Sequence, residues 1–400
     1  MRLIHTSDWH LGRSFHQVGL LGAQAAYLDH LVEVVRSEQV DAVLVSGDVY
    51  DRAMPAPDTV ALLSQTLVRL VDAGAQVIVS SGNHDSAVRL GFGAGLMERA
   101  GVHLRTSLAD VGRPVLLGDT AVHPLPYLEP ALAADALGAS ERTHAGVLRA
   151  AMERVRADAA QRAGSRVVVM AHAFVTGGVT SESERDISVG GVSAVPPRVF
   201  AGADYTALGH LHGAQQVAPG VRYSGSPVAM SFSEVTQRKV SLLVDLSGPE
   251  PVVQPLAAPV ARPLAVLRGT LEEVLSDPRH QGAESAWCQV TLTDALRPLG
   301  AMDQVRRRFP HTLELRFDPQ GRAVPLRPYA ARVAARSDLD VCCDFLEHVR
   351  AGRGPSAEER DLLATAVEQS RVARQVGEDE GVVHRGATAG DPRVSEAGAA

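Results

Sequence analysis

The sequence predicts an α/β fold whose sheet is covered by helices, followed by a small α+β domain and a helical C-terminal segment. Three observations carry that expectation. Short apolar runs alternate with amphipathic stretches up to about residue 245, prolines recur every four residues just after it, and two helical patterns lie beyond residue 336. Runs at 2–5, 42–46, 77–80, 166–171 and 205–208 have the length and β-branched content of strands, and helical patterns at 24–38 and 58–73 separate the first three. A strand pair near 115–123 and strands at 221–224 and 238–245 complete a domain over 1–250. Pro251, Pro255, Pro259 and Pro263 lack the amide hydrogen a helix needs, so 251–263 reads as an extended linker. Strand patterns at 264–269, 286–293 and 312–317, with helices at 270–276 and 296–309, make a second domain over 264–335.

Residues 337–350 and 356–374 read as two helices of a segment over 336–375. The second opens on Ser356 with Glu359 three residues on, a capping box, and places Leu362, Leu363, Ala366 and Val367 on one stripe. The first carries Leu339, Cys342, Phe345, Leu346 and Val349. A hairpin of such helices is too small to bury both stripes alone and suits docking to a partner. The tail over 376–400 is rich in Gly, Ala, Glu and Arg without a period and is expected to be disordered.

The chain of 400 residues is 45% hydrophobic and 21% charged, ordinary for a soluble globular protein. It has no apolar run of the roughly 18 residues that a membrane span needs. The opening ten residues lack the basic stretch and apolar core of a secretory signal. Three irregularly spaced cysteines, Cys288, Cys342 and Cys343, argue against a disulfide framework or zinc knuckle and fit a reducing, cytoplasmic setting. Lys239 is the one lysine among 39 basic residues, a skew we read as coding bias towards arginine. A net charge of −7 excludes a broad basic surface that coats nucleic acid. A nucleic-acid substrate would then be gripped by local arginines, by cations or by a partner.

Five short motifs each follow an expected strand. They are Asp8-Trp9-His10, Gly47-Asp48 with Asp51, Gly82-Asn83-His84-Asp85, His172, and Gly209-His210-Leu211-His212. Loops at the carboxyl ends of strands in one sheet gather on one edge, so residues 200 positions apart can share a cleft. Glycines 47, 82 and 209 allow tight turns there. Imidazole, carboxylate and amide donors without thiolates suit Mn, Fe or Zn. Taken singly each motif is ordinary; in this order they point to a metal site. Asp51 and Asp85 are candidate orienters of histidines, and Asp51 is equally a candidate helix cap.

The order of these motifs resembles the calcineurin-like metallophosphoesterase superfamily over residues 5–212. That resemblance implies a β-sandwich flanked by helices and two divalent metals bridged by a carboxylate. Asp8, His10, Asp48 and His212 would hold one metal, and Asp48, Asn83, His172 and His210 the other. His84 would face the scissile phosphate as the catalytic histidine. Finer segments resemble the SbcD family of bacterial exonuclease subunits. They are His5-Thr6-Ser7-Asp8-Trp9-His10-Leu11-Gly12-Arg13, Val45-Ser46-Gly47-Asp48-Val49-Tyr50-Asp51, Tyr223-Ser224-Gly225-Ser226-Pro227 and Ser231-Phe232-Ser233-Glu234. The SbcD resemblance implies a capping domain over 264–335 and manganese-dependent cleavage of DNA, with 3′→5′ exonuclease action on duplex ends and endonuclease action on single strands and hairpins. It further implies a homodimer within a heterotetramer with the coiled-coil SbcC ATPase, serving DNA repair and recombination. Arg13, His16, Arg52 and Arg89 are candidate DNA contacts beside the site. The competing readings are a small-molecule or cyclic-nucleotide phosphodiesterase of the same superfamily, which would need neither capping domain nor docking helices, and a scaffold with a degenerate site.

Overall fold

The computed structural model describes residues 1–184, 194–319, 337–350 and 353–382. By internal contacts the chain divides into two units. The first comprises Met1–Leu267, Asp277–Val290 and Val305–Leu315; the second comprises Arg268–Ser276, Thr291–Gln304 and the residues from Arg316 onward.

The first unit is built on two six-stranded sheets. In chain order its early strands are β1 (Arg2–Thr6), the short hairpin β2 (Ser14–Phe15) and β3 (Val18–Gly19), β4 (Ala42–Ser46), β5 (Gln76–Ser80) and β6 (Val102–Arg105). Then follow β7 (Val115–Leu117), β8 (Thr120–Pro124), β9 (Arg166–His172), β10 (Tyr205–Gly209), β11 (Gln215–Ala218), β12 (Val221–Tyr223), β13 (Val240–Asp245) and β14 (Val252–Ala257). The sheet orders are β14-β13-β1-β4-β5-β6 and β11-β12-β10-β9-β8-β7. In each sheet the site-bearing strands run parallel: β1, β4 and β5 in the first, β9 and β10 in the second.

Period-two alternation sends side chains to opposite faces, and both faces of both sheets are apolar. Leu3, Leu44, Ile78, Val168, Met170 and Ala207 form the core between the sheets. The outer face of the first sheet packs against α1 (Leu21–Ser37) and α2 (Pro57–Asp72) through Tyr27, Leu28, Leu31, Leu63 and Leu67. The outer face of the second packs against α5 (Pro130–Leu137) and α6 (His144–Ala159). The result is a helix-sheet-sheet-helix sandwich.

The β-sandwich flanked by helices that the resemblance implies is the architecture found, and the motif loops leave its two sheets at a shared edge. The linker expected over 251–263 is corrected, because 252–257 is β14, paired antiparallel with β13 along its full length. It is an edge strand, where Pro255 costs no interior hydrogen bond. After it, β15 (Leu264–Gly269), β16 (Trp287–Leu292) and β17 (Thr312–Phe317) form a three-stranded sheet. The first unit reaches into the expected 264–335 domain, since Leu264, Trp287 and Leu313 pack against Phe15, Leu20 and Phe232. Residues 320–335 of that domain lie outside the described residues.

In the second unit, helices Asp338–Val349 and Ala357–Val382 pair. The expected capping box forms: Ser356 Oγ accepts from the Glu359 amide at 3.2 Å, and Glu359 accepts from the Ser356 amide at 2.8 Å. Arg350 adds a bidentate pair to Glu359 at 2.7 and 2.8 Å. Phe345, Val349 and Leu362 stay exposed. The tail expected to be disordered from 376 is instead helical to Val382. Its remainder, 383–400, lies outside the described residues, and among them no helix is long and apolar enough to cross a membrane.

Candidate metal centre

Three of the five motifs leave their strands through strained backbone. Asp8, His10, Asp48 and His210 all adopt positive φ, at 53°, 44°, 50° and 108°. L-residues pay for that conformation, and such strain is stored where side chains must converge. The turns are held by backbone bonds from Asp8 N to Gly47 O (3.1 Å) and from His10 N to Asp48 O (2.9 Å). The glycines do more than turn. Gly47 has φ 81°, but Gly82 and Gly209 do not need positive φ. A Cβ at Gly82 would strike Asp48, and one at Gly209 would strike Ser46 O of the other sheet. They permit close approach of loops and sheets.

The donors meet at the shared edge. His10 Nε2 lies 3.2 Å from His212 Nε2 and 3.5 Å from Asp48 Oδ2. On the other side His172 Nε2 lies 3.4 Å from Asp48 Oδ2 and 2.9 Å from Asn83 Oδ1. Asp48 thus stands between two sets of donors. Asp8, His10 and His212 form one close cluster, Asp8, Asp48 and His172 a second, and His10, Asp48 and His84 a third. His210 is outside these close clusters; its ring centre is 5.4 Å from that of His172, and its amide donates to Asp8 at 3.0 Å.

Two features fit a cation. Imidazole nitrogens facing each other at 3.2 Å, and a carboxylate, an amide oxygen and an imidazole nitrogen crowded together, need a proton or a metal between them. Except for half-buried Asn83, the expected ligands are nearly all withdrawn from water. Burial opposes charge on His172, but Asp48 and Asp8 outweigh it and hold the ring at about 9. Burial pushes His10 down to about 4 and His210 down to about 3, and raises Asp8 to about 6. The cleft has more negative charge and lone pairs than its own protons settle, which suits divalent cations.

His84 is only half buried, and its Nδ1 donates to Asp51 O at 2.8 Å, which turns Nε2 away from the backbone. It lines an open cavity of about 650 Å³ with Arg13, Asp51, Arg52 and Asn83. Arg89 reaches the same loop through Ala53 O at 3.4 Å. His16 faces Glu314 at 3.7 Å and does not line the cavity. Asp51 is no helix cap, since α2 starts at Pro57; its Oδ1 is 3.6 Å from His10 Nδ1 and 3.4 Å from Arg13. Asp85 orients no histidine. Its carboxylate accepts the amides of Val49, Tyr50 and Gly82, tying two motif loops together.

Several supporting residues escaped the sequence reading. Gln24 of α1 accepts from Gly12 N (3.0 Å) and donates to Trp9 O (3.0 Å) and His10 O (2.7 Å). A glutamine on the buried stripe Gln24-Tyr27-Leu28-Leu31 was the available signal. Ser7 donates to Asp8 at 2.5 Å and meets Ser224 at 2.9 Å. His5, read as part of the functional opening, instead joins the sheets through Tyr205 OH (2.9 Å) and Leu208 O (3.0 Å).

A sandwich with this donor cluster at its edge is the architecture of a metal-dependent phosphoesterase, and the chain belongs to the calcineurin-like phosphoesterases, whose family profile matches residues 1–213. Within that class it is of the SbcD type. It is 31% identical over 322 residues to the SbcD subunit of the nuclease SbcCD from Staphylococcus saprophyticus, covering 79% of this chain and 84% of that one. Residues 260–350 match the SbcD C-terminal profile, described as the type 5 capsule protein repressor C-terminal domain. Solved structures resembling the chain include TT1561 of Thermus thermophilus (10% identity, 64% of this chain and 98% of that one, TM-score 0.39). A second is GAP50, the anchor in the inner membrane complex of Plasmodium (10%, 81% and 99%, TM-score 0.36). The protein is a metal-dependent phosphodiesterase of a family that uses divalent metals.

Proposed function

We propose that the chain is the nuclease subunit of an SbcCD-type complex, cleaving DNA phosphodiesters with two manganese ions in the cytoplasm. Its actions are 3′→5′ digestion of duplex ends and endonucleolytic cutting of single strands and hairpins. The position of Asp48 between two donor sets, beside an open cleft lined by Arg13 and Arg52, carries this reading. Asp8, His10, Asp48 and His212 would hold one ion, and Asp48, Asn83, His172 and His210 the other. Bound ions supply a water of lowered pKa and neutralise the anionic diester.

The chain's own residues do the rest. The Asp51 carbonyl fixes the His84 ring, so that its protonated form presents Nε2–H to the leaving oxygen. Arg13 and Arg52 line the approach of backbone phosphates, and Arg89 extends it. With a net charge of −7, firm DNA binding falls to the ATPase partner. Phe345, Val349 and Leu362 offer that partner an apolar face. Val88, Phe92 and Leu96, exposed on and between the short helices α3 (Ala87–Leu90) and α4 (Ala94–Met97), offer one for a homodimer.

The test is cleavage of end-labelled duplex and hairpin DNA with Mn²⁺ by wild type and His84→Gln. Loss of cleavage with metal content retained supports the role of His84; equal cleavage by both refutes it. Hydrolysis of a cyclic nucleotide without any cutting of DNA overturns the nuclease reading itself. Deleting 337–382 is expected to abolish capture of the ATPase while metal binding persists, and loss of folding would refute the docking role.

A further inference from the structure

The lone lysine and the Ser231-Phe232-Ser233-Glu234 segment have no part in the chemistry above, yet both lie behind His212. Lys239 is buried, and its three ammonium protons are shared among four acceptors within reach: the Glu234 carboxylate, His212 O (3.0 Å), Ser226 Oγ (3.0 Å) and Gln237 Oε1 (2.9 Å). Glu234 is 1% exposed, and its Oε1 accepts from Ser183 Oγ at 2.5 Å. Ser183 Oγ in turn lies 2.6 Å from His212 Nδ1.

We infer that Lys239, Glu234 and Ser183 form a positioning relay that fixes the tautomer and direction of His212, and that ties the loop over 181–184 to its half of the metal centre. This deepens the phosphoesterase reading and rests on it. Proton counting carries the inference. An ammonium can only donate, so Glu234 accepts from Lys239. The one Ser183 proton goes to Glu234, which leaves Ser183 Oγ a lone pair for His212. His212 Nδ1 must then carry the proton, and Nε2, which faces His10 Nε2 at 3.2 Å, is bare. Metal-binding histidines are commonly oriented by a direct carboxylate or carbonyl partner. Here a serine hydroxyl stands between, and that serine belongs to a different loop.

The same loop is held by three more bonds to residues outside it and by one within it. Glu184 Oε1 accepts from the His212 amide (2.7 Å), and Arg13 donates to Ser183 O (3.0 Å). Ser233 Oγ accepts from the Glu182 amide (2.9 Å), and Glu184 Oε2 accepts from Ser181 Oγ (2.7 Å), which leaves the Ser183 hydroxyl for Glu234. Lysine at 239 now has a reason that coding bias does not supply. A compact ammonium with three protons and a flexible stem fits this closed ring of acceptors, and a planar guanidinium does not.

The full-length chain is titrated with Mn²⁺ by calorimetry, and the His212 ring nitrogens are followed by ¹⁵N NMR without metal. Ser183→Ala strips no buried charge, so it is the primary variant. It is expected to weaken one of two Mn²⁺ sites about 10- to 100-fold while the other keeps its affinity. The ¹⁵N signature of a protonated Nδ1 is expected to give way to a tautomer mixture, and Ser183→Thr is expected to restore both. Lys239→Arg should reproduce the metal defect in a chain that still melts cooperatively. Wild-type affinity at both sites in Ser183→Ala, or an unchanged His212 tautomer, overturns the relay. A wild-type chain that binds no divalent ion overturns the phosphoesterase reading instead, and the NMR result then decides the relay alone.

Discussion

His10 and His212 face each other across 3.2 Å, yet they are held in different ways. His10 comes from the first sheet and is fixed mainly through its backbone. Its φ is positive, its amide bonds Asp48 O at 2.9 Å, and Gln24 clamps its carbonyl at 2.7 Å. His212 comes from the second sheet, and its ring is fixed from behind by the Ser183–Glu234–Lys239 chain. Backbone fixation is part of the fold and fails only when the fold weakens. Side-chain fixation can be lost with the fold intact, and it links the His212 ring to a neighbouring loop.

Asp48 joins the two halves, so Asp48→Asn is expected to have the largest effect. Removing the shared negative charge should lower occupancy on both sides and abolish DNA cleavage. Metal analysis and the gel assay check it; full cleavage with two bound ions would show that the halves act separately. Gln24→Leu probes the backbone-held side. It leaves the Trp9 carbonyl without its donor and the His10 carbonyl with the Arg13 amide alone, at an expected cost of about 2 kcal/mol in urea unfolding. Ser183→Ala should cost far less stability than Gln24→Leu. If the order of stabilities is reversed, the contrast between the two histidines is wrong.

That contrast also marks what was legible in the sequence. The first-sheet motifs announce themselves, because Asp8-Trp9-His10 and Gly47-Asp48 are contiguous and each needs a turn straight after a strand. Strand and helix order to residue 245 was readable for the same local reasons, apart from the hairpin β2–β3, β6, β11, α5 and α6. The supports of the second sheet are not contiguous: Ser183, Glu234 and His212 span 51 residues and meet only through tertiary packing. Lys239 carried a signal, its solitude, that pointed to composition as readily as to a buried ion pair. The strand β14 was hidden because Pro255 fits an edge strand and a linker equally well. Asp85 shows the reverse error, an acid placed beside histidines in sequence whose carboxylate serves backbone amides.

The two halves come from different sheets, and His5 helps to join them. Its Nε2–H donates to Leu208 O and its Nδ1 accepts from Tyr205 OH, so the neutral ring satisfies both sheets. Burial pushes it down to about 3, against the Leu208 bond that raises it. The folded pKa is below the unfolded value near 6.5, so the unfolded chain binds the extra proton. The stability His5 contributes is full above about pH 6.5 and declines as pH falls towards 3. Between about pH 7 and about pH 5 the expected loss is about 2 kcal/mol from this residue. His5→Gln keeps a donor and an acceptor without the titration, so its unfolding midpoint should fall less steeply over that range while matching the neutral-pH behaviour more closely. Parallel declines in wild type and variant would show that the join between the sheets does not depend on a neutral His5.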